Sequence, residues 1–221
     1  MATLAPRELK IGKIIDKTLG VIEVNAVPAL IFVLVLAAVG TAITSGSASS
    51  TPLQVAGGQL LRSVVGIVCG YFLLVAMMRR LNLSQAGADV FLPYLGLSAL
   101  YTLGILLGMI AIILPGLFLM TRWSIAQPLL VARRGGVMAS FGESWDRTKG
   151  NEIAIFVAAL ALALIPIAVM IAAGVLFEKD SIVRIAVSEI ASSGISLIYL
   201  AVGVALYGLL VGREGAAAPS A

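Results

Sequence analysis

Arg133–Asn151 reads RRGGVMASFGESWDRTKGN and runs directly into the apolar Glu152–Leu176. The chain writes part of this stretch twice: Ile11–Gly20 (IGKIIDKTLG) lies over Phe141–Gly150 (FGESWDRTKG), with Gly, Asp, Thr and Gly identical and Lys17 facing Arg147. Both copies are charged and amphipathic, and both lead into a long apolar segment. The pattern predicts a repeated unit, a helix lying on a membrane surface followed by a helix that enters the membrane.

Composition demands the same solvent. The 221 residues are 60% hydrophobic and 12% charged, with a mean hydropathy of +1.08. A water-soluble domain needs more polar surface than that. The expected fold class is all-α, a polytopic membrane bundle in a single domain 1–221. The net charge of +4 is dispersed and lacks aromatic interleaving, so nucleic acid is not an expected partner. With no histidine and only Cys69, zinc sites, histidine acid/base chemistry and intrachain disulfides are excluded. No cofactor is expected, and the segment before the first apolar run is too long and too charged for an ordinary signal peptide.

A membrane-crossing helix needs about 20 apolar residues. Segments 26–44, 60–78, 92–114, 152–176 and 186–211 meet this need, and 117–132 is a shorter sixth candidate. Leu114-Pro115-Gly116 predicts a turn between the third and fourth spans. A single helix over 92–132 would reach about 60 Å, twice the hydrocarbon thickness. Six spans place both termini on one side. Arg7, Lys10, Lys13, Lys17, Arg79, Arg80, Arg133, Arg134, Arg147, Lys149 and Arg213 then share a face, opposite Lys179 and Arg184. The positive-inside rule makes that face cytoplasmic. Ser45–Gln59 reads as a flexible external connection, Phe177–Arg184 as a second outer loop with a short helix running into the last span, and 215–221 as a disordered tail.

Two interfacial helices are expected, 7–24 and 137–149. Ile11, Ile14, Ile15, Thr18, Leu19 and Ile22 form the apolar stripe of the first. Val137, Met138, Phe141, Trp145 and Thr148 form that of the second. Glu143 and Arg147, four apart, predict an ion pair. Gly150 is placed to end the surface helix in the left-handed conformation, with Asn151 capping the next span and Asn25 doing likewise for the first. The competing reading makes Asp16, Lys17, Asp146, Arg147, Trp145, Arg133 and Arg134 a cytoplasmic site for anionic headgroups or a protein partner.

Glycine pairs Gly66/Gly70, Gly104/Gly108 and Gly208/Gly212 predict close helix packing, within the bundle or in a homo-oligomer. Arg122, in LFLMTRWSIAQPLL, is the notable intramembrane charge. It is expected about two turns from the outer end of its span, either snorkelling or hydrogen-bonded, or else meeting an anionic group. No carboxylate falls in the middle of a span, which counts against proton-coupled transport.

The stretch LPGLFLMTRWSIAQPLLVARRGGVMASFGESWDRTKGN resembles the signature region of the YciC-type proteins and the related membrane domain of some glycerophosphoryl diester phosphodiesterases. The resemblance rests on the Pro-Gly pair, on Arg122 and Pro128, and on Ser144, Trp145, Thr148, Gly150 and Asn151. It implies a bacterial inner-membrane protein of about six helices. It does not carry diesterase activity, which belongs to a separate soluble barrel.

Three functions are compatible with these features. The first is a non-enzymatic membrane protein that organises lipids or partner proteins at the cytoplasmic leaflet. The second is a small transporter or channel for an anionic or amphipathic solute, with Arg122 in the pathway. A membrane enzyme acting on lipid phosphates is the weakest, for want of an acid/base pair or metal site.

Overall fold

A computed structural model describes residues 8–46, 51–84, 90–111, 113–133 and 136–212. The expected tail 215–221 and Arg134 lie outside them. The described residues form nine helices and no strand: α1 (Ile11–Val24), α2 (Ala26–Gly46), α3 (Pro52–Arg80), α4 (Phe91–Ala111), α5 (Ile113–Arg122), α6 (Ala126–Arg133), α7 (Val137–Thr148), α8 (Glu152–Leu176) and α9 (Ile182–Leu210). Helix is the expected solution in lipid, because it satisfies every interior backbone group within one segment.

Among the described residues, five helices are long and apolar enough to cross a membrane: α2, α3, α4 as far as Ile110, α8 and α9. The expected continuous fourth span is not one of them. Segment 117–132 is divided between α5 and α6, which are interrupted over Trp123–Ile125. The expected turn at Pro115-Gly116 is not formed there, since both residues lie inside α5. Near a helix start, the missing N–H of proline costs little. Gly116 instead serves packing: its backbone lies so close to Gly108 that a β-carbon built on Gly108 would sit 3.1 Å from the Gly116 Cα.

α3 begins well before residue 60, so much of the expected flexible connection is helical. Thr51 and Gln54 form a capping box, with the Thr51 Oγ1 accepting from Gln54 N at 3.4 Å and the Gln54 Oε1 accepting from Thr51 N at 2.8 Å. Pro52 occupies the first helical turn, where it is preorganised for helix.

α9 is the axis of the bundle. It packs against α1, α2, α3, α6 and α8, and Leu200–Tyr207 are buried on every side. The core gathers at one end of the bundle, where Leu74, Met77 and Met78 of α3 meet Leu129 and Leu130 of α6, with Ile14, Ile125, Ile155 and Leu206. The same end carries α1 and α7. Leu9 N donates to Asn151 Oδ1 at 2.7 Å, Arg80 Nη1 to Val24 O at 2.9 Å, and Arg147 Nη1 to Leu210 O at 3.2 Å. Two arginines thus satisfy the orphan carbonyls at the ends of α1 and α9.

Toward the opposite end the large apolar side chains face outward. Leu53, Leu60, Val175, Leu176 and Ile182 are all exposed. So much outward apolar surface on long apolar helices belongs to a membrane protein.

Candidate functional site

Two polar clusters stand out, one at each end of the bundle. The first is built around the break between α5 and α6. Ala126 N donates to Trp123 O at 3.0 Å, one residue short of the α-helical partner, so the carbonyl of Arg122 is released from the ladder. Ser144 Oγ donates to that carbonyl at 2.7 Å and Thr148 Oγ1 at 3.2 Å. Pro128 has no N–H to offer Ser124 O, and that carbonyl lies over Gly203, where a β-carbon would approach it to 2.7 Å. The break is therefore held by a glycine on one side and two hydroxyls on the other. This matches the rule that irregular backbone at membrane depth must be buried in protein.

Arg122 is only 7% exposed. Its Nη2 pairs with Glu152 Oε1 at 2.9 Å and its Nη1 donates to Trp145 O at 3.0 Å. The guanidinium carbon lies 4.8 Å from the centroid of the Trp145 ring and 5.2 Å from that of Phe118. Of the alternatives expected for Arg122, the structure shows the hydrogen-bonded one rather than snorkelling toward the far end. It points to the end that carries α7, because the carboxylate at the start of α8 and the Trp145 carbonyl are there.

The repeated sequence marks docking. Thr18 and Thr148 are fully buried equivalents, each donating to the carbonyl four residues earlier, at 2.7 Å and 2.8 Å. Asp16 and Asp146 both face outward, as does Lys17, whereas Arg147 is half-buried and forms the expected ion pair with Glu143 at 2.8 Å. The two Asp-basic pairs thus build no shared buried site. Arg133 is the last residue of α6. Of the singled-out residues, the structure brings together Arg122 and Trp145.

Four local expectations change. Gly150 does adopt a left-handed φ of 83°, but the side chain of Asn151 makes no cap bond to α8 and accepts from Leu9 instead. Asn25 serves the end of α1, with Nδ2 donating to Val21 O at 2.8 Å, and not the start of α2. On α7 the buried face is Ser140, Phe141, Ser144 and Thr148, while Met138 is 69% exposed. The stripe is rotated because the Ser144 hydroxyl finds a partner inward, the freed Arg122 carbonyl, while Ser140 donates to Gly136 O at the start of its own helix at 3.2 Å. On α1 the buried face is Ile14, Thr18 and Val21, leaving Ile11 and Leu19 outward beside the exposed Lys10, Lys13 and Lys17.

The second cluster was not anticipated. Arg62 Nη2 lies 2.7 Å from Glu189 Oε2, and Arg62 Nη1 donates to Glu189 Oε1 at 3.1 Å. Thr44 Oγ1 donates to the same oxygen at 3.2 Å. Gly40 makes room for the carboxylate, since a β-carbon there would fall 2.3 Å from Glu189 Oε2. A polar cavity of 250 Å³ adjoins Arg62, lined by Gln59, Ser63, Ser192 and Ser196. The readable signal was Glu189, Ser192, Ser193 and Ser196, a polar stripe at helical spacing in an otherwise apolar helix. Among the described residues no group of three Cys, Asp or Glu side chains is placed to hold a metal ion.

Comparison with protein-family models, with curated proteins and with solved structures returns no match for this chain.

Proposed function

We propose that this protein organises lipids, or a partner bound through them, at one leaflet of a bacterial inner membrane, and that it performs no chemistry. The observation that carries the reading is the placement of α1 and α7 at the same end of the bundle. Their outward faces combine Ile11, Leu19, Met138 and Trp145 with the exposed Lys10, Lys13, Lys17 and Lys149. Apolar side chains beside lysines suit the boundary between acyl chains and anionic headgroups. Arg79 and Arg80, both exposed at the end of α3, add to the same basic rim. The positive-inside rule makes this leaflet the cytoplasmic one. Resemblance to the YciC-type proteins supports the bacterial inner membrane. The transport alternative has less support, because Arg122 is committed to Glu152, Trp145 and Phe118.

The test is lipid retention by the purified protein in nanodiscs of phosphatidylcholine with or without phosphatidylglycerol. Each basic residue near an anionic surface contributes about 1 kcal/mol. Lys10→Gln/Lys13→Gln/Lys17→Gln should therefore remove about 3 kcal/mol and lower the preference for phosphatidylglycerol by about a hundredfold. An unchanged preference in a folded triple variant would refute the reading.

A further inference from the structure

Between α5, α8 and α9 lies a slot of about 160 Å³, bordered by Met120, Ser124, Ile155, Ala159, Ile198 and Val202 among others. We infer that this slot holds one acyl chain of a membrane phospholipid, with the ester carbonyl of that chain accepting a hydrogen bond from Ser124. The lipid chemistry follows from three observations. The lining is almost wholly apolar, and an apolar cavity of about 150 Å³ stays dry and takes up a hydrophobic guest.

Its long direction follows the helices: Ile155 to Ala163 on α8 and Val202 to Ile195 on α9 both line it, so it extends about 12 Å at helical rise. Leu160, on its rim, is 44% exposed on a membrane-crossing helix, so the slot opens to the surface that bilayer lipid covers.

Ser124 supplies the polar end. It lines the slot, is 5% exposed, and its Oγ has no protein hydrogen-bond partner. A buried hydroxyl without an acceptor is costly, and an ester carbonyl would complete it. Ser124 also lies two residues from Arg122, whose partner Glu152 begins α8. That places the hydroxyl near the α1/α7 end of the bundle, with the rest of the slot running toward the opposite end. A chain anchored there would point as acyl chains do. The inference depends on the proposed function only for the presence of a bilayer, since it concerns the chain and not the headgroup.

Photolabelling with a phospholipid carrying a diazirine on its acyl chain, in nanodiscs, reads the occupant directly. Labels are expected on Phe156, Ala159 and Ile198. Filling the slot with Ala159→Leu/Ala163→Leu should lower labelling of Phe156 and Ile198 at least fivefold, with labelling of the outward Val157 and Ile165 unchanged. Ser124→Ala should lower slot labelling by about fivefold, the weight of one hydrogen bond. Slot labelling no greater than that of Val157 and Ile165, or unaltered by the filled variant, would overturn the inference. Phosphatidylglycerol and phosphatidylcholine probes should label the slot equally. An unchanged phosphatidylglycerol preference in the α1 lysine variant would therefore sink the proposed function and leave the slot standing.

Discussion

The break between α5 and α6 rests on Gly203, and a single methyl group tests it. In Gly203→Ala the new carbon would stand 2.7 Å from the carbonyl oxygen of Ser124 and 3.5 Å from Pro128 Cγ. Neither neighbour is the free end of a flexible side chain. The oxygen is backbone, and the proline ring is fixed in φ. Overpacking of this kind costs about 1–3 kcal/mol. Against it stands the gain from replacing glycine by alanine inside a helix, about 0.5–1 kcal/mol. The overlap wins, and the net expectation is destabilisation by about 0.5–2 kcal/mol.

Gly174→Ala on α8 is the matched control, since nothing lies within 4 Å of its new carbon. That variant should be neutral or slightly stabilised. Reversible unfolding in mixed micelles, followed by helical circular dichroism, gives both differences on one scale. If Gly203→Ala proves as stable as Gly174→Ala, the carbonyl of Ser124 does not lie against α9 and the account of the break fails.

Other consequences can be read with the same assay. Ser144→Ala and Thr148→Val each leave one hydroxyl on the freed Arg122 carbonyl, so each should cost about 1 kcal/mol; the double variant leaves the carbonyl unsatisfied and should exceed their sum by about 1 kcal/mol. A strictly additive cycle would remove those hydroxyls from the support of the break. Glu189→Ala strands Arg62, which is partly exposed, so its cost should fall below the 3–5 kcal/mol of a fully buried pair, at about 1–3 kcal/mol. Recovery of stability in Arg62→Met/Glu189→Leu would show that the pair is replaceable by packing, whereas continued loss would assign it a specific role at the far end. Thr51→Ala should lose the capping box and fray the first turns of α3 at a cost of about 1 kcal/mol, with faster amide exchange over Gln54–Ala56 as the readout.

The fold class was legible without coordinates. Hydropathy places α2, α4 and α8 within a few residues, because each is an apolar run whose length matches the bilayer and whose interior has no competing solution. The amphipathic period announces α1 and α7, the Glu143–Arg147 spacing announces their ion pair, and Gly150 ends its helix as a glycine in that position should. What hydropathy could not supply was direction within an element. The rotation of α7, which buries Ser140 and Ser144 and exposes Met138, depends on a carbonyl freed in a different helix. Composition counts serine as polar and has no knowledge of that partner.

The same limit explains the two polar clusters. Arg122 was recognisable as an unusual charge, yet its orientation was set by Glu152 and the carbonyl of Trp145, both distant in the chain. Arg62 and Glu189 lie on helices that only the fold makes neighbours, and the small Gly40 opposite them is what admits the carboxylate. Chain composition and periodicity determined the solvent, the helices and the basic end of this protein, since those depend on each residue and its near neighbours. The discontinuous α5–α6 segment, the two ion pairs and the slot beside Ser124 were decided by tertiary structure, because each requires a group on one helix to satisfy, or make room for, a group on another.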